Sequence, residues 1–177
     1  MLTVGTVVWL ASEVMFFSGL FAAYFTLRAT TTGPWPPPDV HLGTATSALF
    51  TTVLVASSGT MQMAVRAISG GDRRRFRWWI VATAALGLMF VANQAREWSV
   101  LDFGPDSHAF GSAFYVMTGF HGMHVLGGMA AMIVLAARAS RAGFGAAEAP
   151  AVEVVSYYWH FVDVVWVAMW STLFLLR

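Results

Sequence analysis

Residues 3–27 read TVGTVVWLASEVMFFSGLFAAYFTL, and this stretch decides the fold class. A helix needs about 20 predominantly apolar residues to cross the hydrocarbon of a bilayer, and this run contains one formal charge, Glu13. It has no basic region ahead of it, it carries an acid, and it is longer than the apolar core of a signal peptide. A retained membrane helix is therefore expected rather than a cleaved leader. With Met1 almost at the membrane, no amino-terminal domain is expected before it.

Four further apolar runs follow, over residues 42–65, 78–95, 109–137 and 154–176. The second has no formal charge. The third is the shortest, and the fourth is long enough to tilt. None alternates with the period of two that a membrane β-barrel needs. The expected fold is all-α: an integral membrane bundle of five helices forming a single transmembrane domain over residues 1–177. Composition agrees. Of 177 residues 58% are hydrophobic and 11% charged, with a mean hydropathy of +0.65, whereas soluble domains carry roughly a quarter charged residues. A net charge of +1 gives no indication of nucleic-acid binding, and the absence of cysteine excludes disulfides, thiolate metal sites and cysteine nucleophiles.

The loops predict orientation. Arg66, Arg73, Arg74, Arg75 and Arg77 cluster between the second and third runs, and Arg138 and Arg141 between the fourth and fifth. The other two loops hold Arg28 and Arg96 beside Asp39, Asp102 and Asp106. Basic loops mark the cytoplasmic side, so the amino terminus is expected inside and the carboxyl terminus outside. The loop Gly33-Pro34-Trp35-Pro36-Pro37-Pro38 cannot be helical and is expected to be a stiff, polyproline-like turn. Trp35, Trp78, Trp79 and Trp98, near helix ends, fit an interfacial aromatic belt.

Ionisable residues inside the membrane are costly and therefore informative. Five stand here: Glu13, His121, His124, His160 and Asp163. At about 1.5 Å per residue, their depths are compatible with one buried polar layer; depth does not say which of them touch. The plainer reading of Glu13 and Asp163 is polar glue between helices, contributing on the order of 1 kcal/mol per contact. The sharper one is proton handling or lipid contact. His160 and Asp163 are three apart on one helical face, so they are expected to bond either to each other or to other helices. A metal site would need His121 and His124 with His160 as third donor. Zinc requires three converging ligands, and histidines three apart cannot be opposed axial ligands of one haem, so core histidines without metal are expected. Gly119, Gly122, Gly127 and Gly128, and Ser57, Ser58, Gly59 and Thr60, allow close helix packing. The arginines at 73–77 are read as a topology signal that also meets anionic headgroups.

Several strings carry a resemblance. Ser12-Glu13-Val14-Met15-Phe16-Phe17 resembles the segment around the carbodiimide-reactive glutamate of subunit III of cytochrome c oxidase. Trp35-Pro36-Pro37, Gly71-Asp72-Arg73 and Gln94-Ala95-Arg96-Glu97-Trp98 resemble the same family in the same order. So do the segment 110–125, FGSAFYVMTGFHGMHV, and Tyr158-Trp159-His160-Phe161-Val162-Asp163-Val164-Val165-Trp166. The resemblance covers essentially the whole chain. It implies a non-catalytic subunit of the aerobic respiratory chain, in a bacterial plasma membrane. Such a subunit binds no cofactor of its own, with haem and copper in partner subunits and phospholipid bound to it. Its main partner would be the haem-copper subunit I, with subunit II and small subunits around it. By position, Glu13 matches the reactive acid, and His121, His124, His160 and Asp163 match family motif residues. Longer members have seven helices, and the first two are missing here. The five-helix form and strings such as 4–10, VGTVVWL, look most like actinobacterial oxidases, which implies a supercomplex with cytochrome bcc. Rival readings are an accessory subunit of nitric oxide reductase or of a quinol oxidase and, from other classes, a proton channel or transporter or a membrane haem protein. The inverted repeats and broken helices of transporters are not visible in the sequence.

Overall fold

The structure, a computed structural model, describes residues 2–141 and 143–176. Five helices follow one another: α1 (Leu2–Thr30), α2 (Thr44–Ser69), α3 (Arg73–Val100), α4 (Ala109–Arg138) and α5 (Ala149–Trp170). A 3₁₀ turn, Ala146–Glu148, leads into α5, and a π-helical turn, Ser171–Leu175, ends it. Among the described residues there is no β-strand. Helices of 26 to 30 residues are roughly 40–45 Å long, enough for the hydrocarbon and both interfaces. By length and composition α1 to α4 are membrane spans. Helix α5 has 22 residues, and its Tyr158, Trp159, Asp163 and Trp166 are buried in the bundle.

Helices α2 and α3 form a tight antiparallel pair around the turn at Gly70–Gly71. Gly71 has φ +77°, a left-handed conformation that a side chain would strain. Asp72 then accepts a hydrogen bond from the Arg75 amide at 2.9 Å, capping α3. That cap sets the start of α3 at Arg73, and the helix runs to Val100, further at both ends than its apolar run. The arginine cluster is thus the first turn of a helix rather than loop.

Helix α5 packs against α1, α2 and α4. Its fully buried Trp159 reaches between Gly87 of α3 and Gly128 of α4 and donates Nε1–H to Ser57 Oγ of α2 at 2.8 Å. One indole therefore ties four helices together. Trp166 similarly donates to Thr51 Oγ1 at 2.9 Å, and Thr60 bonds Thr83 at 2.8 Å between α2 and α3. Helix α1 lies against α4 and α5 and is the least buried, with 11% of its apolar stretch covered against 28–33% for α2 to α4.

The proline loop does not project away as an extended arm. It holds a cis Trp35–Pro36 bond, and Trp35 folds back to donate to Tyr24 Oη at 2.9 Å and to meet Phe110 edge-on at 5.5 Å. Trp78 is exposed at the start of α3, whereas Trp98 packs on Tyr115 near its other end.

Candidate functional site: polar groups within the bundle

The five ionisable residues on the apolar helices fall in three places: two contacts between helices and one position in the interior.

The first face joins α1 to α4. Glu13 Oε2 lies 3.1 Å from His124 Nε2, and the indole of Trp9, one turn earlier on α1, donates to Glu13 Oε1 at 3.1 Å. His124 Nδ1 sits 2.7 Å from the Phe120 carbonyl. A carbonyl only accepts, so Nδ1 carries a proton and Nε2 is left to face the acid. The Glu13–His124 contact bridges α1 and α4. Both side chains are partly exposed, so the pair stands near the bundle surface. Phe17 and Tyr158 pack on the imidazole, Trp9 stacks on Tyr158 at 4.9 Å, and the Tyr158 hydroxyl donates to the His124 carbonyl at 3.0 Å.

The second face joins α2 to α5. The Ser58 hydroxyl donates to Asp163 Oδ2 and lies 2.7 Å from His160 Nδ1. His160 Nε2 in turn lies 3.2 Å from Ser156 Oγ. His160 and Asp163 are thus joined through a serine of another helix. With Ser58 donating to the acid, its oxygen accepts from His160 Nδ1–H, and Nε2 accepts from Ser156; the chain of bonds selects one tautomer. Ser58, His160 and Asp163 line a cleft of 280 Å³ whose rim is Val55, Val164 and Val167. Asp163 is 4% exposed, and its Oδ1 has no hydrogen-bond partner among the described residues.

The third location is the interior. His121 is fully buried between α3 and α5, stacked on Trp166 at 4.8 Å and edge-on to Phe90 at 5.8 Å. Among the described residues neither ring nitrogen has a hydrogen-bond partner. Although only three residues apart, His121 and His124 point to different neighbours, and His160 lies on yet another face. No group of three His, Cys, Asp or Glu side chains converges as a metal would require among the described residues.

At the basic end, Arg75 pairs with Asp72 at 3.2 Å and Arg73 donates to the Arg141 carbonyl at 2.8 Å, which joins the two basic loops. Arg74 and Arg77 lie exposed on α3 beside Trp78.

Sequence reasoning had no role for Trp9 as a partner of Glu13, though its spacing of four residues signals it. It took Ser57 and Ser58 as packing residues only. A buried indole needs an acceptor, and Trp159 was the available sign that one of these serines bonds.

The family model of cytochrome c oxidase subunit III matches residues 1–176. The "Probable cytochrome c oxidase subunit 3" of Mycobacterium tuberculosis is 49% identical over 180 residues, spanning all of this chain and 89% of that protein. The cytochrome c oxidase subunit 3 of Corynebacterium diphtheriae is 42% identical over 182 residues, with the same coverage. That of Thermostichus vulcanus is 37% identical over 173 residues, covering 97% of this chain and 86% of the relative. Four membrane-spanning helices and a match along its whole length to bacterial oxidase subunits lead to one conclusion: this multi-pass membrane chain belongs to the cytochrome c oxidase subunit III family.

Proposed function

We propose that the chain is the non-catalytic subunit III of a bacterial cytochrome c oxidase, packed against subunit I, which it stabilises and whose proton uptake it supports. Haem and copper belong to the partner subunits, and phospholipid covers the exposed helices. The chain acts as one transmembrane domain of five crossings, amino terminus in the cytoplasm and carboxyl terminus outside. Through subunits I and II it belongs to a larger assembly with a cytochrome bcc complex.

The observation that carries this reading is the Glu13–His124 pair. An acid and an imidazole meet at 3.1 Å at a partly exposed position on the least buried helix. A group that only glued helices together would be better hidden, whereas one that exchanges a proton must be reachable. Asp163, bonded through Ser58 to His160, has the character of the structural member of the set. His121, enclosed by aromatic rings, packs the core. Arg73, Arg74, Arg75 and Arg77 hold the cytoplasmic end.

Purification through a tag on this chain in mild detergent tests the assignment. A haem-copper subunit with the spectrum of a cytochrome c oxidase is expected to come with it; its absence, or a nitric oxide reductase in its place, refutes the reading. Glu13→Gln is expected to leave assembly intact, to abolish carbodiimide labelling and to slow proton uptake. Undiminished labelling, or uptake at the original rate, removes Glu13 from the role.

A further inference from the structure

The cleft between α2 and α5 is lined by Val55, Ser58, His160, Asp163, Val164 and Val167. Among the described residues every side-chain polar atom lining it has a partner except one. Ser58 donates to Asp163 Oδ2, and His160 is bonded through both ring nitrogens, to Ser58 and to Ser156. Asp163 Oδ1 is the exception, on a side chain that is 4% exposed. About 20 Å of helix separates Asp163 from either end of the stretch 149–175, so neither bulk water nor a lipid headgroup is at hand. A polar atom left unmatched in hydrocarbon is costly, and an acyl chain offers it no partner.

The rim suits a helix. Val55 is 44% exposed, Val164 69% and Val167 41%. Their β-branched side chains are stiff at χ1, so little freedom is lost when another surface packs on them. Beside the cleft, α2 turns Thr52, Ala56, Gly59 and Met63 outward, at the spacing of one helical face. The first three are small, and the notional Cβ of Gly59 meets nothing within 4 Å, which lets the backbone of a second helix come close. A second copy of this chain does not fit. An isologous contact centred on the cleft would oppose two Asp163 side chains, and Ser58 and His160 have already given their donors to Asp163 and Ser58.

We infer that this seam is a docking site for a transmembrane helix of a partner subunit, which places a hydroxyl or carboxamide side chain in the cleft on Asp163 Oδ1. An uncharged group of that kind both donates and accepts, so it matches the acid with or without its proton. The valines and the small face of α2 close around the bond, and the other exposed faces are left to lipid. The inference rests on the reading of the chain as one subunit of a complex and adds to it the face and the chemistry of one contact. The Glu13–His124 pair lies between α1 and α4 and takes no part.

The test uses the assembled complex in its native membrane, with p-benzoylphenylalanine in place of Val164 or of Val134 on α4, which is 57% exposed. Irradiation is expected to join position 164 to one other polypeptide, at a membrane-spanning segment with Ser, Thr, Asn or Gln within one turn of the attachment point. Attachment to lipid alone, to a second copy of this chain or to a segment without such a residue overturns the proposal, as does the same product from position 134. In detergent, Val164→Trp is expected to lower the amount of that polypeptide retained on the tagged chain by roughly tenfold, and Val134→Trp to leave it unchanged. Full retention in Val164→Trp overturns the proposal, and so does equal loss in both. The unfolding midpoint of each variant reports whether its own bundle is intact, and the crosslink stands independently of both. Absence of any haem-copper subunit from the tagged complex refutes the oxidase reading alone, because the seam is judged by its own crosslink.

Discussion

Replacing Gly128 with alanine would place a methyl carbon 2.8 Å from Cε3 and 2.9 Å from Cζ3 of Trp159, and 3.3 Å from Cε1 of Tyr158. The indole has nowhere to retreat. Its other edge lies 2.8 Å from the point where Gly87 would carry a Cβ, its Nε1 is held by Ser57, and it is fully buried. Overpacking a filled core costs about 1–3 kcal/mol, and a rigid ring pinned on both sides puts this site near the top of that range. Alanine recovers about 1 kcal/mol of helix propensity over glycine. The expected net effect of Gly128→Ala is therefore destabilisation by about 2 kcal/mol, roughly a thirtyfold shift in the folded-to-unfolded ratio. Gly122, on the same helix, has nothing within 4 Å of its notional Cβ, so Gly122→Ala keeps the propensity gain without the clash. Both variants can be unfolded in mixed micelles of increasing dodecyl sulfate and followed by tryptophan fluorescence. Gly128→Ala should unfold at a lower detergent fraction than the parent, and Gly122→Ala at the same or a higher one. Equal stability of the two variants would refute the view that Trp159 is wedged between α3 and α4.

Three further outcomes are expected. Ser57→Ala leaves the Trp159 N–H buried without an acceptor and should cost about 1–3 kcal/mol in the same unfolding assay. Asp72→Ala removes the cap of α3 and should cost about 1 kcal/mol, seen first as faster hydrogen exchange at the Arg75 amide. Tyr24→Phe removes the acceptor for Trp35 Nε1–H, and the loop at 31–43 should become measurably easier to cleave by protease while the helices stay protected.

The helices themselves were legible because a bilayer sets a minimum length, and no soluble element competes for 25 apolar residues. Their ends were less so. Hydropathy placed the arginines at 73–77 outside the helix, whereas the Asp72 cap starts α3 at Arg73; charge and helicity are independent properties at a membrane surface. Counting at a fixed rise gives each of Glu13, His124, His160 and Asp163 a position along its own helix. It does not give their grouping, because the partner of Glu13 lies 111 residues away and that of His160 102 residues away. Rotation of each helix about its axis and the order of helices around the bundle decide such pairs, and uniformly apolar segments carry little signal for either. Contacts within one helix, such as Trp9 with Glu13, are the exception.

The sparse packing of α1 has a consequence for biosynthesis. This helix precedes its partners in the chain, yet its polar anchor, His124, is made 111 residues later. During insertion its acid has only the Trp9 indole of the same helix as a partner, at a cost of up to about 3 kcal/mol for an ionisable residue at mid-helix, which the surrounding apolar residues outweigh. Helices α2 to α5 can lock around Trp159 without it. Of these five helices the one made first is thus held through its acid only once α4 is made, and until His124 arrives α1 stays free to be met by other chains.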